Sequence, residues 1–281
     1  MTSAVPLGPR SLACIAVMSV LGLLAFGWPL LVEPGSRLTT GPEGPWLFAL
    51  LIPLLLAVVL AEVAEGGLDA KSVALLGVLT AVAAALRPLS GGVTGFQPMF
   101  VVLILAGRVF GPGFGFVLGS TSMVASALLT GGVGPWLPFQ MLGAAWIGLG
   151  AGLLPRCEGK LEIGLLALYG GVSSLAYGLL LNLWFWPFLA TTGDIAFVAG
   201  APIHENLGRL LAFTLATSLG FDIPRALGSA VLLVVVGAPA LAALRRTHRR
   251  ARFSTRDEPG DSGPPSDATP PSEPAPLAAG S

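Results

Sequence analysis

Gln97, Trp136, Gln140, Asn182, Trp184, Glu205, Asn206 and Arg209 lie inside or beside long apolar runs, with Trp186 close by. Polar groups at such positions are costly unless they pair or face water, so they commonly line a cavity. Indole rings offer flat contact area and amides fix orientation, which suits a planar polar ligand. Each residue also has a plainer role. Gln97 closes a Gly-rich loop and reads first as a solvated loop residue. Trp184 and Trp186 fit an interfacial aromatic belt. Gln140 and Asn182 fit interhelical hydrogen bonds. Glu205 and Arg209, four apart, fit a helical ion pair. Asn182 and Gln140 sit deepest in apolar sequence and rank first.

Other chemistry finds little support. His204 and His248 have no ligating neighbours in sequence, so no metal site is expected. Ser173 and Ser174 lack an adjacent base. Asp222, before Ile223-Pro224, reads as a turn or N-cap residue. Cys14 and Cys157 suggest neither a disulfide nor a metal motif. The pattern G-x-x-x-x-G-K-[ST] is absent, so any ATP chemistry belongs to another chain. No cofactor is implied. A membrane enzyme would need paired carboxylates, a metal cluster or an activated nucleophile at membrane depth, and the sequence offers none.

A mechanical signal sits in the run before Arg87-Pro88, where Gly77, Ala81 and Ala85 recur every four residues. That spacing places them on one helical face, where a second helix can approach closely. Ordinary packing within the same bundle would use the same pattern.

The elements that must position these residues follow from composition. Of 281 residues, 54% are hydrophobic and 11% are charged, against about 25% charged in soluble domains. The fold class is therefore all-α, a polytopic membrane helical bundle. Formal net charge is zero, which leaves no nucleic-acid footprint. Spans are expected near 12–32, 46–63, 72–86, 98–110, 113–130, 138–154, 161–189 and 225–244, with a break at GlyProGly 111–113. Residues 205–220 are amphipathic and too short for a full crossing at about 20 residues. The tail 251–281, rich in Pro, Ser, Gly and acidic residues, is expected to be disordered. Lys and Arg placement sets both termini in the cytoplasm of a plasma-membrane protein. Arg10, Lys71, Arg108, Arg156, Lys160 and the 245–252 run then fall inside, and Arg37, Arg87, Arg209 and Arg225 outside.

The stretch 75–154, with its small-residue face before ArgPro, the run LILAGRVFGPGFGFVLG and the turn GGVGPWLPFQMLGAAWIGLGAGLLP, resembles the core of a substrate-binding S component of an energy-coupling factor (ECF) vitamin transporter. The resemblance extends over residues 70–250. It implies a six-helix core that binds a vitamin from outside. It also implies partners, a transmembrane T subunit and two ATP-binding subunits, and inward delivery by toppling of the S component. In such proteins an A-x-x-x-A face contacts the T subunit, and Ala81 and Ala85 match it, with Gly77 extending the face. Loop 87–97 would be the lid. Residues in 136–140, 182–186 and 205–209 would form the pocket, for a cobalamin-like or flavin-like substrate. Two additional N-terminal spans within 1–69 depart from the family pattern. A structural or assembly protein of the membrane is the competing reading.

Overall fold

The computed structural model describes residues 8–36, 43–57, 70–90, 95–189 and 191–253. All regular structure among these residues is helical, as expected of a polytopic bundle. The helices are α1 (Pro9–Phe26), α2 (Gly44–Ala57, with a 3-10 turn inside), α3 (Ala70–Leu86), α4 (Met99–Phe110), α5 (Pro112–Thr130), α6 (Leu137–Leu153), α7 (Gly159–Phe185), α8 (Ile203–Thr217) and α9 (Leu219–Phe253). Four segments are long and apolar enough to cross a membrane, namely Pro9–Phe26, Pro112–Thr130, Gly159–Phe188 and Leu219–Thr247. Shorter apolar helices complete the bundle. Many large apolar side chains of the spans face outward, as on α9 at Leu227, Val231, Val234 and Val235. The protein is a multi-pass membrane protein.

Several boundaries differ from the sequence reading. The first span stops at Phe26 rather than 32, and a 3-10 turn follows over Trp28–Leu30. Pro29 has no N–H to continue the ladder, which accounts for the stop. The second expected span, 46–63, is described only to residue 57, and the remainder lies outside the described residues. The break between α4 and α5 is Gly111 alone, at φ 104°, with Pro112 already the first residue of α5. Proline is at home in that position, since its missing N–H would be unpaired there anyway. Of residues 205–220, those up to Thr217 belong to α8, Ser218 caps it, and the final helix starts at Leu219 instead of 225. Pro224 and Pro239 lie inside that helix, which runs through the basic segment to Phe253. Residues 254–281 of the expected tail lie outside the described residues, as do 91–94 of the 87–97 loop.

Glycine decides how the centre packs. A Cβ at Gly115 of α5 would overlap the Gly148 backbone of α6, and one at Gly148 would overlap Gly115. Gly119 meets the Ala144 backbone in the same way, and Gly107 of α4 meets Gly148. Here backbones touch directly, which lets dispersion act between helices in a solvent as apolar as the side chains.

The N-terminal segments pack on the core. Gly22 of α1 lies against Leu142, and Ser19 Oγ accepts from the Trp146 indole at 3.0 Å. Phe139 stacks on Trp184 at 4.2 Å, and Phe26 and Phe48 each meet Phe139 edge-on. Trp28 donates its indole N–H to the Trp184 carbonyl at 3.2 Å. An aromatic plug contributed by α1, α2, α6 and α7 thus fills one end of the bundle.

At the opposite end, Glu162 is buried at the start of α7. Its Oε1 accepts from Arg108 Nε of α4 at 2.8 Å and from Arg245 Nη2 of α9 at 2.6 Å. Arg108 Nη1 also caps the Leu154 carbonyl at 2.9 Å, which closes the C-terminus of α6. One carboxylate therefore ties three helices together.

Candidate functional site

Residues 95–97, the end of the loop that follows α3, cross the first part of α9. Gly95 has φ +68° and sits on the Phe221 backbone, where a Cβ would overlap. Only glycine satisfies both the left-handed backbone and the close approach. The Phe96 ring occupies the space left by the missing side chain of Gly228. The crossing is thereby pinned at Phe221 and at Gly228, on either side of Arg225.

Beneath the crossing lies a buried polar cluster. Arg225 Nη1 donates to Asp222 Oδ1 at 2.7 Å, and their side chains are 9% and 5% exposed. Removing one partner of so enclosed a pair leaves an uncompensated charge. The guanidinium also lies over the Tyr177 ring, 5.6 Å from its centroid, and reaches the Ser174 carbonyl at 3.5 Å. Gly178 makes the pair possible, since a Cβ there would overlap the Asp222 carboxylate. Ser174 donates to Ser229 at 3.1 Å, joining α7 to α9. Tyr177 in turn packs edge-on against Phe100 and over Gly143 of α6.

One turn before Gly143, Gln140 Oε1 accepts from Arg87 Nη2 at 2.7 Å, and Arg87 Nη1 donates to Ser126 at 3.3 Å. Arg87 stands where α3 ends, before Pro88. Among the described residues, Gln97 Oε1 and Arg225 Nε are buried without a hydrogen-bond partner, as are Ser120 and Ser122 Oγ on α5. Such atoms are rare in folded proteins, and each calls for an explanation.

The sequence-derived candidates fall in three places. Gln97 and Gln140 belong to this cluster. Asn182 and Asn206 hold backbone and helices in position. Asn182 Nδ2 donates to Ser218 at 2.8 Å and Thr214 at 3.3 Å, fastening α7 to the α8–α9 junction. Asn206 Nδ2 donates to the Val198 carbonyl at 2.8 Å, and its Oδ1 accepts from the Val198 amide, tying the 193–202 loop to α8. Trp184 lies in the aromatic plug, and Trp186 is buried between Phe197 and Phe213 with its indole N–H on the Ile195 carbonyl. Neither therefore forms an exposed belt. The remaining candidates are peripheral. Trp136 is 41% exposed and donates to the Gly132 carbonyl. Glu205 is exposed, and Arg209 donates to the Gly193 carbonyl; no Glu205–Arg209 ion pair forms among the described residues.

Sequence reading missed Arg87, Tyr177, Asp222 and Arg225 as site residues. Asp222 is not a turn residue but part of α9, and Arg225 is buried rather than at the outer edge of a span beginning at 225. The signal was an acid and a base three apart, which share a helix face only if the helix begins before 222.

Replacing Asn182 with leucine leaves the Thr214 and Ser218 hydroxyls without that donor. The expected cost is on the order of 1 kcal/mol, from two membrane hydrogen bonds. A lower Tm at unchanged oligomeric state checks this, and an unaltered Tm would show that the junction is held by other contacts.

The small-residue face has a clear placement. Gly77, Ala81 and Ala85 are all exposed on α3, and space beyond Gly77 is open. The other side of α3 buries Leu76, Ala83 and Ala84 and joins α5 through the Thr80–Thr121 hydroxyl pair at 3.0 Å.

No curated protein and no solved structure matches the chain. A family model does. Residues 71–237, from the start of α3 to the middle of α9, match the family described as ECF transporter, substrate-specific component. The matched region holds the buried cluster, its glycine-pinned crossing and the exposed small-residue face. With more than half its length covered, the chain belongs to the substrate-specific components of ECF transporters, proteins that bind a substrate for transport and are not enzymes.

Proposed function

We propose that this S component takes up a vitamin or related micronutrient at the cluster beneath residues 95–97 and passes it inward with a T subunit and two ATP-binding subunits. One observation carries the site. Arg225 Nε is a buried donor without an acceptor, and Gln97 Oε1 is a buried acceptor without a donor. Both belong to the single crossing pinned at Phe221 and Gly228. A ligand edge that presents a carbonyl beside an N–H would satisfy both. A flavin ring has such an edge in its imide, and cobalamin carries it in its side-chain amides. Gln140 holds Arg87 at the same cluster, and Asn182 and Asn206 fix the α7, α8 and α9 ends around it. Trp184, Trp136 and Arg209 make their contacts elsewhere, Glu205 is exposed, and all four are assigned to the rim and its support.

Orientation follows from charge. The crossing lies at one end of α4, α6, α7 and α9. Arg108, Lys160, Arg245 and Arg246 lie at the other, as the positive-inside rule requires of a cytoplasmic end. Both termini are then cytoplasmic, and the cluster faces outward.

Arg225→Gln keeps a polar side chain but loses the guanidinium. Affinity for whichever vitamin binds the wild type should fall by roughly 10- to 100-fold, the worth of a charge-assisted hydrogen bond. Gln97→Met, which leaves the Asp222–Arg225 pair intact, should weaken binding in the same direction. Titration calorimetry on protein of matched Tm reads both. Full affinity in both variants would remove this cluster from the site.

A further inference from the structure

The cytoplasmic end carries a feature that substrate binding does not use. Between the start of α7 and the stretch of α9 from Val234 to Arg246 runs an open groove of about 1080 Å³. Its apolar floor includes Ile163, Val234 and Leu241, and its end carries Lys160, Arg245 and Arg246. Small residues on both helices, Gly164 and Ala238 among them, hold it open.

The charge at that end is unbalanced. Glu162 also lines the groove, but Arg108 already supplies its counter-charge through a 2.8 Å bond. Arg245 bonds the same oxygen at 2.6 Å, which fixes its guanidinium at the mouth. Lys160 and Arg246 are exposed beside it. An apolar trough in a membrane-facing surface fills with acyl chain, and a cationic mouth at headgroup depth selects a negatively charged head.

We infer that this groove binds one anionic phospholipid, its phosphate between Lys160, Arg245 and Arg246 and one acyl chain along Ile163, Val234 and Leu241. Complementarity of charge favours an anionic lipid: the floor at Ile163, Val234 and Leu241 is apolar, and the cations Lys160, Arg245 and Arg246 gather at one end. Each cation near an anionic headgroup contributes on the order of fivefold in affinity.

Native mass spectrometry of the full chain in mild detergent tests this, with dioleoyl phosphatidylglycerol and dioleoyl phosphatidylcholine as probes. Wild type should retain one phosphatidylglycerol and release phosphatidylcholine. The double variant Lys160→Gln/Arg246→Gln, both positions exposed and outside the Glu162 contact, should bind phosphatidylglycerol at least tenfold more weakly. Ala238→Trp, which fills the trough and keeps the cations, should also lose the adduct. Equal retention of the two lipids, or undiminished phosphatidylglycerol binding in both variants, would overturn the inference. So would a double variant that keeps its lipid but no longer assembles with the T and ATP-binding subunits, since the groove would then be a protein interface.

Discussion

Gly148→Leu is expected to leave no monodisperse protein after detergent extraction. At this position a Cβ alone overlaps the Gly115 backbone, and Gly107 of α4 closes on the same residue from another side. The obstruction is main chain on main chain, so no side-chain rotamer relieves it. Adding methylenes to an ordinary core costs about 1–3 kcal/mol. Here α4, α5 and α6 must all move, and their contact is the centre of the bundle, so the loss exceeds that range. Gly208→Ala on α8 is the matched control, because the space beyond it is open. Size-exclusion profiles and Tm should separate the two variants completely. A Gly148→Leu protein with wild-type Tm would show that α5 and α6 do not approach as described.

The second large effect concerns assembly. Ala81→Trp should abolish association with the T subunit and hence all ATP-driven uptake, while fold and ligand affinity stay at wild-type values. The separation follows from geometry. Ala81 is exposed on α3, and the side of that helix that packs inward carries Ala83, Ala84 and Leu76. An indole at 81 therefore meets no part of its own bundle, but it prevents a second helix from approaching closely. Ala85→Trp should act in the same way. Co-purification of tagged variants with the T and ATP-binding subunits measures it, with titration of the isolated chain as the second readout. Assembly at wild-type yield would assign the face to lipid contact.

Much of this was legible in the residues. Apolar length and scarce charge dictate an all-helical membrane bundle, and Pro88 after Arg87 ends α3 where the sequence places the end. The exposed face at Gly77, Ala81 and Ala85 follows from spacing, yet spacing alone does not say whether a neighbouring helix already covers it. The α5–α6 contact shows the limit more sharply. Gly115, Gly119 and Gly148 are visible as glycines, but which backbone each one admits is a property of pairing in space. Gln97 and Gln140 stood out as polar groups beside apolar runs. Arg225 did not, because a helix restarting at Pro224 would leave it at a membrane edge. With α9 beginning at Leu219, the same arginine is nearly two turns inside and must find a partner. Trp184 was equally suited to a pocket wall or a belt, and its place in the plug depends on Phe26, Trp28 and Phe48, rings that arrive from the N-terminal segments.

The most direct test of the central claim is purification of the tagged chain from its source membranes in mild detergent, with identification of the proteins and small molecules that accompany it. A substrate-specific component working as described brings a T subunit and two ATP-binding subunits in stoichiometric amount. It also releases a vitamin on denaturation, and Gln97→Met, which leaves the Asp222–Arg225 pair intact, keeps the partners but carries less of the vitamin. A wild-type chain that emerges with neither ATP-binding subunits nor ligand would contradict the account and make the protein a structural member of its membrane.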